Sequence, residues 1–166
     1  RRHTRYPLVT GVQTCALPIL CQKYRLMNIL LYLIFIILIL FFDSIWLYIN
    51  ANSYKNLVMN VQGSSLEINP IGAILSYLCV IIAIFGYIIP IVKEKNKKDN
   101  NLLYLSIIYG GGLGLLMYGI FNTTNIGIFK NYDYLTALKD TLWGIFLFTL
   151  ITYLFIKIDT YHQYHN

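Results

Sequence analysis

Charged side chains make up only 12% of this 166-residue chain against 57% hydrophobic, where a soluble domain carries about 25% charged residues. A water-soluble globular reading is therefore excluded, and the length leaves room for about four membrane spans of roughly 20 residues each with short loops. Cysteine is equally uninformative: of three, Cys15 and Cys21 precede the first span and Cys79 falls mid-span. No pair remains for a disulfide or a metal site. Histidine is confined to His3 and to the tail pair His162 and His165, so no histidine lies near the acidic residues singled out below. That excludes a nucleophilic triad, and the HQYH tail reads as solvated. The GGGLG run has no glycine at the third position of a dinucleotide fingerprint and no strand before it. No metal and no cofactor is expected. The formal net charge of +6 comes from basic residues in short segments between apolar runs, where they set orientation; the bilayer is the expected partner and nucleic acid is not.

What is present is apolar length. Runs at 29–49, 71–92, 102–121 and 138–158 each suffice to cross a bilayer, and Asn69-Pro70 before the second forms a helix cap followed by proline at the first helical position. The fold class is all-α, an integral membrane bundle of four transmembrane helices. Residues 1–26 read as a non-native leader and 27–166 as the transmembrane domain. The stretch 1–19 is basic and turn-prone, and Val9 to Ile19 resembles the conceptual translation of a sequencing-adapter oligonucleotide; Met27 is the natural start, opening directly into the first span. Its apolar run is too long for the core of a cleaved signal peptide.

Lysine counts give the orientation. Lys93, Lys95, Lys97 and Lys98 crowd the second loop and Lys157 follows the fourth span, against Lys55, Lys130 and Lys139 on the other side. The second loop and both termini are expected in the cytoplasm, with Tyr48, Tyr54, Tyr132 and Tyr134 at the outer interface and Tyr104 and Tyr161 at the inner one. The membrane is expected to be the cytoplasmic (inner) membrane, and homo-oligomers fit the pattern equally well as a single copy.

Within that topology the polar residues of spans one, three and four gather at one depth. Asp43-Ser-Ile-Trp46 and Asp140-Thr-Leu-Trp143 share the form acid-x-x-Trp, which puts each indole one turn from its carboxylate on the same helix face. Because the two helices run oppositely, Trp46 points outward from its acid and Trp143 inward. A carboxylate at mid-bilayer costs about 2.5–3.5 kcal/mol on insertion scales, so Asp43 should face the bundle with partners. Asp140 lies nearer the interface, where capping its helix and serving a solute weigh equally. Gly110, Gly114, Tyr118 and Asn122 recur every fourth residue and form one line; the small residues allow a close helix approach and deliver Tyr118 and Asn122 into the bundle. Gly111 lies off that line. Asn122, Thr124 and Asn125 close span three, and the sequon Asn122-Thr123-Thr124 lies too near the membrane to count as a glycosylation site.

From Met27 onward these motifs resemble a predicted membrane protein family, domain of unknown function 2177. The carrying segments are FFDSIWL (Phe41 to Leu47), G-x-x-x-YGIFNTTN (Gly114 to Asn125) with Lys130 and Tyr132 after it, and DTLWG (Asp140 to Gly144). The resemblance implies a four-helix integral membrane protein and transfers no activity. Three functions then compete: an outer-leaflet pocket of Asp43, Trp46, Tyr118, Asn122, Thr124, Asn125, Asp140 and Trp143 that binds or passes a small polar or amphiphilic solute; a structural or assembly protein whose polar residues hold helices in register; and a membrane enzyme acting on lipid head groups. The last ranks lowest, since no nucleophile, metal set or phosphate clamp accompanies the carboxylates.

Overall fold

The computed structural model describes the backbone of residues 12–165 and the side chains of residues 29–162. The expectations for residues 1–11 lie outside the described residues. From Val12 onward the chain is helical, which replaces the turn-prone reading of residues 12–19: α1 runs Val12–Ile49. There follow α2 (Ala51–Gln62), α3 (Pro70–Ile81), a π-helical segment Ile82–Ile88, α4 (Ile89–Asp99), α5 (Leu102–Leu105), a second π-helical segment Ser106–Gly111, α6 (Gly112–Ile128) and α7 (Tyr134–His165). Among the described residues four stretches are long and apolar enough to cross a membrane: Ile29–Ile49, Pro70–Asp99, Leu102–Ile128 and Tyr134–His162.

Local chemistry sets the helix ends. Asn69 accepts hydrogen bonds from the backbone N–H groups of Ile71 (3.0 Å) and Gly72 (3.3 Å), with Pro70 behind it as the first helical residue; the expected cap is in place. At the other end of span two, Asn100 turns left-handed (φ 47°) and its N–H returns to the Asn96 carbonyl, so the helix continues through the lysine run. Asn101 then caps α5 through the Tyr104 N–H. Asp133 accepts from the Thr136 N–H at 2.8 Å and from its hydroxyl. Asp133, not Asp140, therefore caps α7, which places Asp140 nearly two turns inside the helix and removes capping as its role. The hydrogen bonds from Thr136 hold the Asp133 carboxyl below the usual carboxylate range.

The bundle is centred on α7. Within the four spans, the buried share of the most apolar window rises from 17% in spans one and two to 39% in span four, so α7 is wrapped by the others while α1 and α3 show most of their surface to lipid. Phe35 and Ile39 of α1, Ile84, Ile88, Ile89 and Val92 of span two, and Leu147, Phe148, Ile151 and Phe155 of α7 form the core. Apolar burial drives little of this in lipid, where the tails are as oily as leucine; close packing and interhelical hydrogen bonds carry the association.

The first π-helical segment has a local reason. Pro90 has no N–H to return to the preceding turn, and the wide turns over Ile82–Ile88 absorb that break, as broken helices in membranes do when neighbours support them. The second segment brings Gly110 and Gly111 together against α7. A Cβ on Gly110 would lie 2.7 Å from Thr152 Oγ1 and 2.9 Å from the Phe148 carbonyl, and one on Gly111 would lie 2.6 Å from Thr149 Oγ1. Gly111 thus sits in the interface, contrary to its expected off-line position, because a π-helical turn rotates each residue by less than the regular helix assumes.

Candidate functional site

Gly110, Gly114, Tyr118 and Asn122 form the expected line, and it lies along α7. Gly114 meets the backbone of Gly144 so closely that a Cβ would collide with the Gly144 carbonyl. The Tyr118 ring covers Gly144 in turn and meets Phe148 edge-on at 6.2 Å. Asn122, 3% exposed, reaches Asp140 one step further along; its burial also rules out carbohydrate at the sequon.

The two acid-x-x-Trp motifs pair crosswise. Since α1 and α7 are antiparallel, the same spacing that carries Trp46 past Asp43 toward the α2 end carries Trp143 away from that end, so each indole is level with the other helix's acid. Trp143 Nε1 donates to Asp43 Oδ1 at 2.9 Å. Trp46 Nε1 donates to the Tyr54 hydroxyl oxygen at 3.1 Å, and Tyr54 donates to Asp140 Oδ1 at 2.6 Å. The indoles stack on each other with centroids 4.8 Å apart and planes within 2°. They form one plate between the carboxylates rather than two separate walls.

Three tyrosines complete the arrangement. Tyr77 of α3 donates to Asp43 Oδ2 at 2.6 Å, which adds span two to a pocket expected from spans one, three and four. Asn122 Nδ2 donates to Asp140 Oδ2 at 3.1 Å, and the Tyr132 hydroxyl donates to Asn122 Oδ1 at 3.0 Å. Tyr54 and Tyr132, expected as interfacial rings, are half-buried parts of this network. Burial, and then the bond to Asp140, pushes the Tyr54 hydroxyl above its ordinary pKa, and burial does the same to Tyr132, so both remain donors. Tyr48, Tyr134, Tyr104 and Tyr161 are exposed.

α2 was missed altogether, although Tyr54, Leu57, Val58 and Val61 stand at helical spacing and mark one apolar face. Asn125 is half-buried and joins Tyr132 and Asp140 along a groove beside α2. Thr124 is exposed and does not line that groove.

The family model for DUF2177, described as a predicted membrane protein, matches residues 28–156. The chain belongs to the DUF2177 family. The match reaches into all four spans and includes every residue of the network, from Asp43 to Trp143. No curated protein and no solved structure matches the chain.

In this DUF2177 protein each oxygen of Asp43 and Asp140 receives one hydrogen bond, all from uncharged donors. The ion pairs among the described residues lie elsewhere: Lys97 with Glu94, and Lys93 with Asp159 at 2.7 Å near the lysine-rich end. Neither carboxylate of the network has a basic partner among the described residues. Among the described residues no three His, Cys, Asp or Glu side chains gather as a metal-binding group.

Proposed function

We propose that this member of the DUF2177 family is a multi-pass protein of the cytoplasmic membrane, with its lysine-rich end inside and the Asp43–Asp140 network in the outer half of the bilayer. There it binds or passes a small polar or amphiphilic solute. The observation that carries this reading is the pair of carboxylates held entirely by uncharged donors. A solute bringing positive charge or several donors offsets an electrostatic cost that the protein itself leaves standing. Asp43 and Asp140 make the polar or cationic contact, Asn122 and Asn125 supply hydrogen bonds, and the stacked Trp46–Trp143 plate gives a rigid apolar edge.

A competing structural reading has its own support, because the same network links all four spans and α2 and would hold them in register with no ligand. Thermal unfolding in detergent against a panel of small amines, zwitterions and sugars separates the two. A ligand bound only by the folded state, at a hundred times its Kd, adds about 2.7 kcal/mol, read as a rise of several degrees in Tm. The expected result is such a rise for a subset of solutes, abolished in Asp43→Asn, which replaces charge by an amide of similar shape. If no solute shifts Tm, or if Asp43→Asn responds as the native chain does, the network is a structural lock.

A further inference from the structure

Beside the network, α2 and the end of α6 leave a groove of about 410 Å³, within the range of roughly 300–1,000 Å³ typical of small-molecule sites. Leu57, Val58 and Val61 of α2 face Phe121 and Phe129 across it. Its polar lining is confined to a few groups, Tyr54, Asn125, Tyr132 and Asp140 prominent among them. Phe121 and Phe129 are themselves 59% and 43% exposed, so the apolar wall is continuous with the surface that lipid tails cover.

We infer that this groove takes a long-chain amphiphile with a cationic amine head, the ammonium at Asp140 and the chain between α2 and α6. The inference rests on the proposed binding function and names its ligand class and route of entry. Charge decides the head group: Asp140 has one uncharged donor on each oxygen and no basic partner among the described residues, so each oxygen retains a lone pair for an ammonium N–H. An anionic head would meet the Asp140 carboxylate, and a neutral one would leave its charge uncompensated. The walls decide the rest. Leu57, Val58, Val61, Phe121 and Phe129 offer an alkyl chain contact that a small polar solute cannot use, and the exposed phenylalanines admit it from the bilayer rather than from water.

Trp46 and Trp143 are the chain's two tryptophans, and Trp46 is one hydrogen bond removed from the Asp140 partner Tyr54. Energy transfer from them to a dansyl-tagged ligand therefore reports occupancy. The probes are dodecylamine carrying dansyl at its far end, the matching dodecanol, and a two-carbon dansyl amine, each titrated into the full chain in dodecyl maltoside. The long amine should give saturable transfer at least tenfold tighter than the alcohol and the short amine. Asp140→Asn should weaken it at least tenfold. Val61→Phe, which fills the groove at a half-buried position outside the hydrogen-bonded network, should weaken the long amine as much and leave the short amine unchanged. Equal binding of amine and alcohol, or an unaltered response in Asp140→Asn, overturns the head-group assignment; an unaltered response in Val61→Phe overturns the groove. Should Asp140→Asn fail to fold, the amine-to-alcohol ratio and Val61→Phe decide alone. A short amine that binds as tightly as the long one ends this inference and leaves the proposed function standing, whereas no binding by any amine, together with a flat solute panel, ends both.

Discussion

Asp43 and Asp140 each take one hydrogen bond from a side chain on α7 or α6 and one from a tyrosine outside those helices, so neither can be read from its own helix alone. Trp143 is the partner of an acid one hundred residues earlier. The opposite solution appears at the lysine-rich end, where Asp159, 8% exposed, is paired with Lys93, whose ammonium also lies 5.2 Å above the Phe155 ring. Removing one member of a buried ion pair costs about 3–5 kcal/mol because the other charge stays buried. Lys93 is 30% exposed, and that access to solvent moves the expectation to the low end, about 3 kcal/mol. Lys93→Met should lower stability by that order in urea unfolding in detergent, and Lys93→Met with Asp159→Leu should recover most of it. A double variant no more stable than the single one would show that the pair is not what Lys93 contributes.

At the scale of the helix, the glycines of span three and its end determine how near α6 approaches α7. Gly114 lies against the Gly144 backbone, Gly111 against Thr149, and Gly112 has open space around it. Gly114→Leu should therefore prevent stable assembly, Gly111→Leu should cost about 1–3 kcal/mol as overpacking does, and Gly112→Leu should be tolerated. Detergent melting of the three variants checks the order, and equal losses at Gly112 and Gly114 would remove the close approach as the organising contact. The Gly110–Asn122 line was legible because a four-residue repeat survives most of span three, whereas the position of Gly111 was not, because no sequence pattern announces a π-helical turn. The four spans and the opposed directions of the two indoles were legible for a similar reason: hydrophobic length and antiparallel direction follow from the chain itself. Tyr54, Tyr77 and Tyr132 were not, since a tyrosine near a span end looks the same whether its hydroxyl meets head groups or a carboxylate. Rotation of each helix about its axis decides that, and only tertiary contact sets it.

For the whole molecule, the two ends differ in chemistry. One carries uncompensated carboxylates under α2 with three scattered lysines, Lys55, Lys130 and Lys139; the other carries the run Lys93, Lys95, Lys97 and Lys98, with Lys157 near the end of span four. In the proposed orientation excess lysine in short loops marks the cytoplasmic side, which would put α2 and the groove at the outer surface. Single cysteines, in a chain with Cys15, Cys21 and Cys79 replaced by serine, test this directly. Asn56 on α2 and Lys130 in the third loop are exposed and lie outside the hydrogen-bonded network, and Lys98 is exposed at the other end. Asn96 is a poorer reporter because its side-chain oxygen is buried, and Asp133 is committed to capping α7. Cysteine at Asn56 or Lys130 should react with an impermeant thiol reagent in intact cells, and cysteine at Lys98 only after permeabilisation. The reverse pattern would put the carboxylate network in the cytoplasmic half, and an amphiphile reaching Asp140 would then come from the inner leaflet instead of the outer one.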